Sequence, residues 1–318
     1  MAESPNCSTA APASSGRSGR WWVWPAVFVP ACLAATCWWL TEPLEDRRGP
    51  GELPPPLAYA PPVALAPEEV EAAATPLVWP RTELSGKPAK LLVLKALVQA
   101  AERLNKVDSY SGTFRKQERI KGALGAKQTL AMKVRHKPFA IYFKFIEPTK
   151  GKEVVFAEGR HDNKVIVHGV GISRFLVPRL AVAPDHPLAL ADSRHAVTEA
   201  GIANLTSRLI RFREKDLIDL ESETVLDRVT DDKGGLRLRS IHVHPTFHEG
   251  RPFAKVVVLY DPETFFPVDI RNFDWPTPGR DGTLLLAEHY AYEDLNFDVP
   301  LTALDFDPAN PDYAFHRY

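Results

Sequence analysis

Hydrophobic positions are distributed along the chain in three textures. Trp21 to Leu40 is an unbroken run of twenty uncharged residues, WWVWPAVFVPACLAATCWWL, long enough to cross a bilayer and flanked at both ends by indole rings of the kind that settle at headgroup layers. Further on, Leu94, Leu97, Val98, Ala101 and Leu104 recur at helical spacing, predicting an amphipathic helix from about Pro88 to Lys106, with Pro88 in its first turn. The third texture is alternation. Leu130, Met132 and Val134, then Phe139, Ile141, Phe143 and Phe145, alternate with mostly polar neighbours, and period two with branched and aromatic side chains predicts strands. Shorter strands are expected at Glu153 to Ala157 and Lys164 to His168. A helical pattern built on Ile202, Leu205, Leu209 and Phe212 predicts a second helix from about Thr198 to Glu214. Strands then resume near Glu223 to Thr230, Leu236 to His244, Ala254 to Tyr260, Phe266 to Phe273 and Leu284 to Tyr292, separated by turn clusters such as Asp231 to Gly235.

Strands joined by short turns predict an antiparallel sheet, and two helices are needed to cover its apolar face, so the fold class is α+β. The chain divides into a tail (1–20), an anchor (21–40), a linker (41–86) and a folded domain (87–318). Arg17 and Arg20 precede the anchor, which by the positive-inside rule leaves the tail in the cytoplasm and the rest outside. A cleaved signal peptide has a shorter apolar core followed by small residues, unlike this Cys-Trp-Trp-Leu ending, and the residues before Cys32 and Cys37 match lipidation signals poorly. The linker contains Pro54-Pro55-Pro56 and Pro61-Pro62; such chain favours extended polyproline II and reaches on the order of 100 Å.

Charge and cysteine content narrow the function classes. With 39 Lys and Arg against 40 Asp and Glu, there is no basic surplus to recruit nucleic acid. Cys7, Cys32 and Cys37 all precede the linker, so the folded domain has neither disulfide nor cysteine nucleophile. His242, His244 and His248 form the weak candidate metal set, since the first two project from one strand face; incidental histidines at a strand end are the simpler account, and no metal or cofactor is expected. His168-Gly169-Val170-Gly171 lacks the glycine and helix start of a phosphate loop. Ser193 beside His195 lacks the Gly-x-Ser-x-Gly context of a hydrolase. The charges from Arg208 to Glu223 are expected on a solvated helix end. The chain is therefore not expected to be an enzyme.

Four segments carry a resemblance: LNKVDSYSGTFRKQER (Leu104 to Arg119), MKVRHKPFAIYFKFIEP (Met132 to Pro148), YDPETFFPVDI (Tyr260 to Ile270) and YEDLNFDVPLTALDF (Tyr292 to Phe306). With the order helix, strands, helical insertion, strands, they make the chain similar to an uncharacterised bacterial envelope family related to the LolA-like superfamily of outer-membrane lipoprotein carriers. The resemblance implies a curved, incomplete antiparallel barrel with helices on its concave face, and an apolar cavity that shields a lipid or lipoprotein acyl chain in the periplasm, here tethered to the inner membrane. Phe114-Arg115-Lys116-Gln117 is one residue longer than the Phe-x-Gln spacing of the soluble carriers. The residues expected to line such a cavity are Leu130, Met132, Val134, Phe139, Ile141, Phe143, Phe145, Val256, Val258, Phe266, Val268 and Ile270. An envelope sensor or structural module that binds a protein partner, and a metal-dependent enzyme built on the histidines, are the alternatives.

Overall fold

The computed structural model describes residues 77–169, 179–276 and 282–316. The tail, the anchor over Trp21 to Leu40, residues 41–76 of the linker, and Val170-Gly171 of the glycine turn lie outside the described residues. Among the described residues no helix is long and apolar enough to cross a membrane.

The strands are β1 (Leu84–Ser85), β2 (Ser109–Ile120), β3 (Ala123–Leu124), β4 (Gln128–Arg135), β5 (Ala140–Glu147), β6 (Glu153–Ala157), β7 (Val165–His168), β8 (Arg179–Val182), β9 (Glu223–Thr230), β10 (Leu236–Val243), β11 (Lys255–Tyr260), β12 (Pro267–Phe273) and β13 (Leu286–Asn296); the helices are α1 (Gly86–Leu104) and α2 (Ile202–Ile218). All pairs are antiparallel, in the order β1-β9-β10-β11-β12-β13-β2-β4-β5-β6-β7-β8, with β3 a short partner of β2. The sheet is open, because β1 and β8 end this order without meeting. Twelve strands at about 4.8 Å would span roughly 53 Å if flat, while two helices side by side cover only about 20 Å. Yet residues from β2 and β4 to β7 and from β9 to β13 join both helices in one buried cluster, which requires the sheet to curl around the helices. Register shifts in the β4–β5, β11–β12, β12–β13 and β13–β2 pairs supply local bends.

Three expectations are corrected. The buried stripe of α1 runs through Ala89, Lys90, Val93, Ala96, Leu97, Ala100 and Leu104, rotated from the one that included Leu94 and Val98, which are only partly buried. Helix α2 starts at Ile202, since Val197–Glu199 is a separate 3-10 turn. The start is set by Tyr110: its hydroxyl accepts a hydrogen bond from the Ile202 amide at 2.9 Å, and the preceding Gly201 adopts φ of 100°, where a Cβ would sit a tight 3.3 Å from that hydroxyl. Finally, packing begins before Lys87. Trp79, assigned by composition to the linker, is buried against Tyr260 and donates to the Asp227 carbonyl at 3.0 Å, and Arg228 binds the carbonyls of Trp79 and Pro80.

The opposite face of the sheet has a cover that the pattern did not reveal. Ala140, Tyr142, Val155, Ala157 and Ile166 are buried under Phe306, Tyr313 and Phe315 of the C-terminal segment. Tyr142 stacks on Tyr313 with ring centroids 4.0 Å apart, and Lys133 pairs with Asp305 at 2.7 Å. Strand β5 therefore buries both faces.

Candidate functional site

The apolar positions picked out by alternation come together. Leu130, Met132 and Val134 on β4 face Phe145, Phe143 and Ile141 on β5; across the sheet Val258 of β11 faces Ile270 of β12, and Val256 lies two residues before Val258. All of these and Phe266 are buried in the helix-covered cluster, with Phe139 and Val268 partly buried against it. Phe114 of β2 stacks between Phe143 and Tyr290.

That apolar face is crossed by a rung of polar residues. Following the register from β9 to β2, Thr224 faces His242, His242 faces Val256, Val256 faces Asn272, Asn272 faces Glu288 and Glu288 faces Glu118. All five polar members are buried. Buried polar groups are tolerated only when partnered, and most of these are. His242 hydrogen-bonds with Thr224 Oγ1 at 2.9 Å and with Ser240 Oγ at 3.1 Å, and burial, with Arg213 nearby, keeps it neutral by lowering its pKa well below the usual value. Glu118 takes hydrogen bonds from Tyr290 and from Lys116, the latter at 3.0 Å.

Glu288 is the most engaged member. It accepts from His195 Nε2 at 2.8 Å, Arg194 Nε at 3.1 Å and Asn272 Nδ2 at 2.7 Å. Burial alone would raise its pKa, but the His195 charge outweighs that and holds it well below the usual range. Burial likewise opposes charge on His195, yet Glu288 and Glu199, the latter 3.3 Å away, push its pKa up to about 9. At neutral pH His195 is a fixed cation, unsuited to act as a general base. The hydroxyl of Ser193 accepts from Lys116 Nζ at 3.1 Å.

Helix α2 supplies the facing half. The solvated helix end expected from Arg208 to Glu223 is corrected: Arg211, Glu214 and Lys215 are exposed, but Arg213 and Asp216 continue the stripe of Ile202, Leu205 and Leu209 into the interior. Arg213 Nε lies 3.0 Å from Asp216. Arg251, arriving from the β10–β11 connection, reaches Asp216 at 2.9 Å and Asp219 at 3.4 Å. Lys90 of α1 donates to the Asp219 carbonyl at 2.6 Å and to Ser222 Oγ at 2.8 Å.

Of the metal candidates, His242 and His244 share the inward face, while His248 is exposed beside Glu221. His289, on the other face of β13, bonds Asp269 at 2.7 Å. Asp216, Asp219 and His244 do converge, but both carboxylates already face Arg251, and Arg213 and Lys90 stand close by. A divalent cation entering there meets three positive groups, so the arrangement favours guanidinium over metal.

Between α2, strands β11 to β13 and the β10–β11 connection lies a cavity of about 40 Å³. Its lining mixes apolar side chains, Leu209, Phe212, Pro252, Phe253, Val256 and Ile270, with polar ones, His195, Arg208, Arg213, His244, Arg251, Asn272 and Glu288. Two of the expected cavity residues, Val256 and Ile270, border it, and the remainder sit in the filled core. The polar lining escaped the sequence reading, although its trace was present: Glu288 keeps the phase of Tyr290 and Tyr292, and Asn272 that of Ile270.

The chain belongs to the family described as protein of unknown function (DUF1571), whose model matches residues 107–315. Among solved structures it is similar to a LolA superfamily protein from Nitrosomonas europaea (12% identity, 68% of this chain and 97% of that one, TM-score 0.31). It is also similar to the lipoprotein LppX of Mycobacterium tuberculosis (14%, 66% and 98%, 0.36) and to a DUF1329 family protein from Desulfovibrio piger ATCC 29098 (12%, 69% and 97%, 0.34). No curated protein matches the chain. At such identities and scores, function has to be read from this chain's own residues.

Proposed function

We propose that the chain is an envelope protein, tethered to the inner membrane through Trp21 to Leu40 with its folded domain in the periplasm, that takes a lipid or lipoprotein acyl group between sheet and helices without transforming it. The observation that carries this reading is the continuity of the helix-covered apolar face with a cavity lined by both apolar and cationic side chains, an arrangement suited to an amphiphile. Burying about ten methylenes contributes roughly 8 kcal/mol before ordering costs. The cavity of about 40 Å³ compares with roughly 300–1,000 Å³ for ligand sites, so loading requires α2 to move off the sheet. Its C-terminal half suits that motion, because Arg213 and Asp216 hold it through charged contacts in place of apolar packing. The cationic His195 and the hold of Lys116 on the Ser193 hydroxyl support a binding role over a catalytic one.

Organic extraction of the purified full chain followed by mass spectrometry, with titration of a fluorescent fatty acid, tests the reading. Bound lipid or saturable probe binding is expected; absence of both would remove it. Protease added to right-side-out spheroplasts should digest the domain, and full protection before lysis would refute the topology. A protein partner is the second reading, favoured by one observation: among the described residues β8 pairs only with β7, leaving an edge to which a strand can add.

A further inference from the structure

Resting on that reading, the geometry points to a defined head-group subsite: we infer that the cavity receives the oxyanion, carboxylate or phosphate, at the head of a bound amphiphile, with Arg213 as the principal donor. Arg213 is buried to 3% exposure and borders the cavity. Its Nε lies 3.0 Å from Asp216, but among the described residues neither Nε nor Nη1 has a hydrogen-bond partner. A buried guanidinium with an unmet donor is costly, and a planar oxyanion fits its donor fork. Arg208 and the protonated His195 border the same space, and the one carboxylate on its wall, Glu288, is already matched by His195 and Arg194. The adjoining Phe212, Phe253 and Val256 would meet the first methylenes of the chain.

The test uses the full chain held in amphipol and the displacement of an uncharged dye, N-phenyl-1-naphthylamine, by decanoate, decyl phosphate and decanol, with inorganic phosphate as a separate arm. Charge-assisted hydrogen bonding predicts that the two anions displace the dye about 10- to 100-fold better than the alcohol. Arg213→Gln should bring that ratio near one. Because this change strands Asp216, the pair Arg213→Gln with Asp216→Asn preserves charge balance, and a cooperative melt reports its fold. Equal displacement by decanoate and decanol in the unmodified chain would overturn the head-group assignment while leaving acyl binding standing. Displacement by none of the amphiphiles would defeat the acyl reading itself. If inorganic phosphate displaces bound decanoate at equal concentration, the site serves a free anion and the assignment to an amphiphile head is wrong.

Discussion

Raising the pH should unlock the His195–Glu288 contact, and its size follows from the environment of the imidazole. His195 is buried between Glu288 and Glu199, and its pKa rises from 6.5 to about 9 on folding. A group whose pKa is raised in the folded state stabilises fully below the unfolded value and loses that contribution as pH climbs through the folded one. The gap corresponds to about 3 kcal/mol at about 1.36 kcal/mol per pH unit, present below about pH 6.5 and nearly gone by about pH 9.5. For a domain of this size that is a fall of about 6–12 °C in Tm. The depressed pKa of Glu288 has the opposite sign: its contribution is present above the ordinary carboxylate range and lost as pH falls below it. The assay is urea denaturation followed by circular dichroism between about pH 6 and 9.5. Stopping there keeps the buried Tyr260 and Tyr292, both pushed up to about 12, out of the comparison, since their unfolded counterparts ionise near 10. His195→Gln should be less stable at pH 6 and show a flatter profile. Parallel profiles for the two proteins would refute the reasoning.

Phe143→Ala should cost about 3–5 kcal/mol through the cavity it leaves between Phe114 and Met132, whereas Phe143→Leu should cost under about 1.5 kcal/mol; denaturant midpoints separate the two. Gly201→Ala forces a side chain into φ of 100° beside the Tyr110 hydroxyl and should destabilise by about 1–3 kcal/mol, read as an earlier thermal melt. Trp79→Ala should cost about 3–5 kcal/mol; no change in stability would return residues 77–85 to the linker. Elemental analysis should find no stoichiometric zinc, and His244→Ala should leave the metal content unaltered; one zinc per chain, lost in that variant, would reopen the enzyme reading.

Strands rich in branched and aromatic residues were legible, whether or not they alternate strictly. Glu153–Ala157 and Glu223–Thr230 stand where the pattern put them, and Leu130, Met132 and Val134 face the core as their spacing requires. Helix rotation was less so, because alanine is weakly hydrophobic and Ala96 and Ala100 drew less attention than Leu94 and Val98. The polar lining was hidden for a different reason. Charge in a helix such as α2 normally signals solvent, and besides Arg213 in the helix itself it is the tertiary neighbours Arg251 and Lys90 that make burial of Asp216 tolerable. Those partners lie far away in sequence. The cover on the second face of β5 was equally opaque, since Phe306, Tyr313 and Phe315 form no periodic pattern of their own.

The place of β13 in the sheet bears on how the chain is made. Strand β2 forms early and pairs with β4 on one side, but its other side waits for β13, and the contact between Arg119 and the Leu286 carbonyl spans 167 residues. At about 5–20 residues per second, the ribosome leaves that edge of β2 open for on the order of 10–30 s. An unpaired edge invites pairing with another nascent chain. The charged run Arg115, Lys116, Glu118 and Arg119 suits such an interval: cationic side chains discourage a second copy from docking, and once β13 arrives Arg115 finds Glu293, Glu118 finds Tyr290 and Arg119 finds the Leu286 carbonyl.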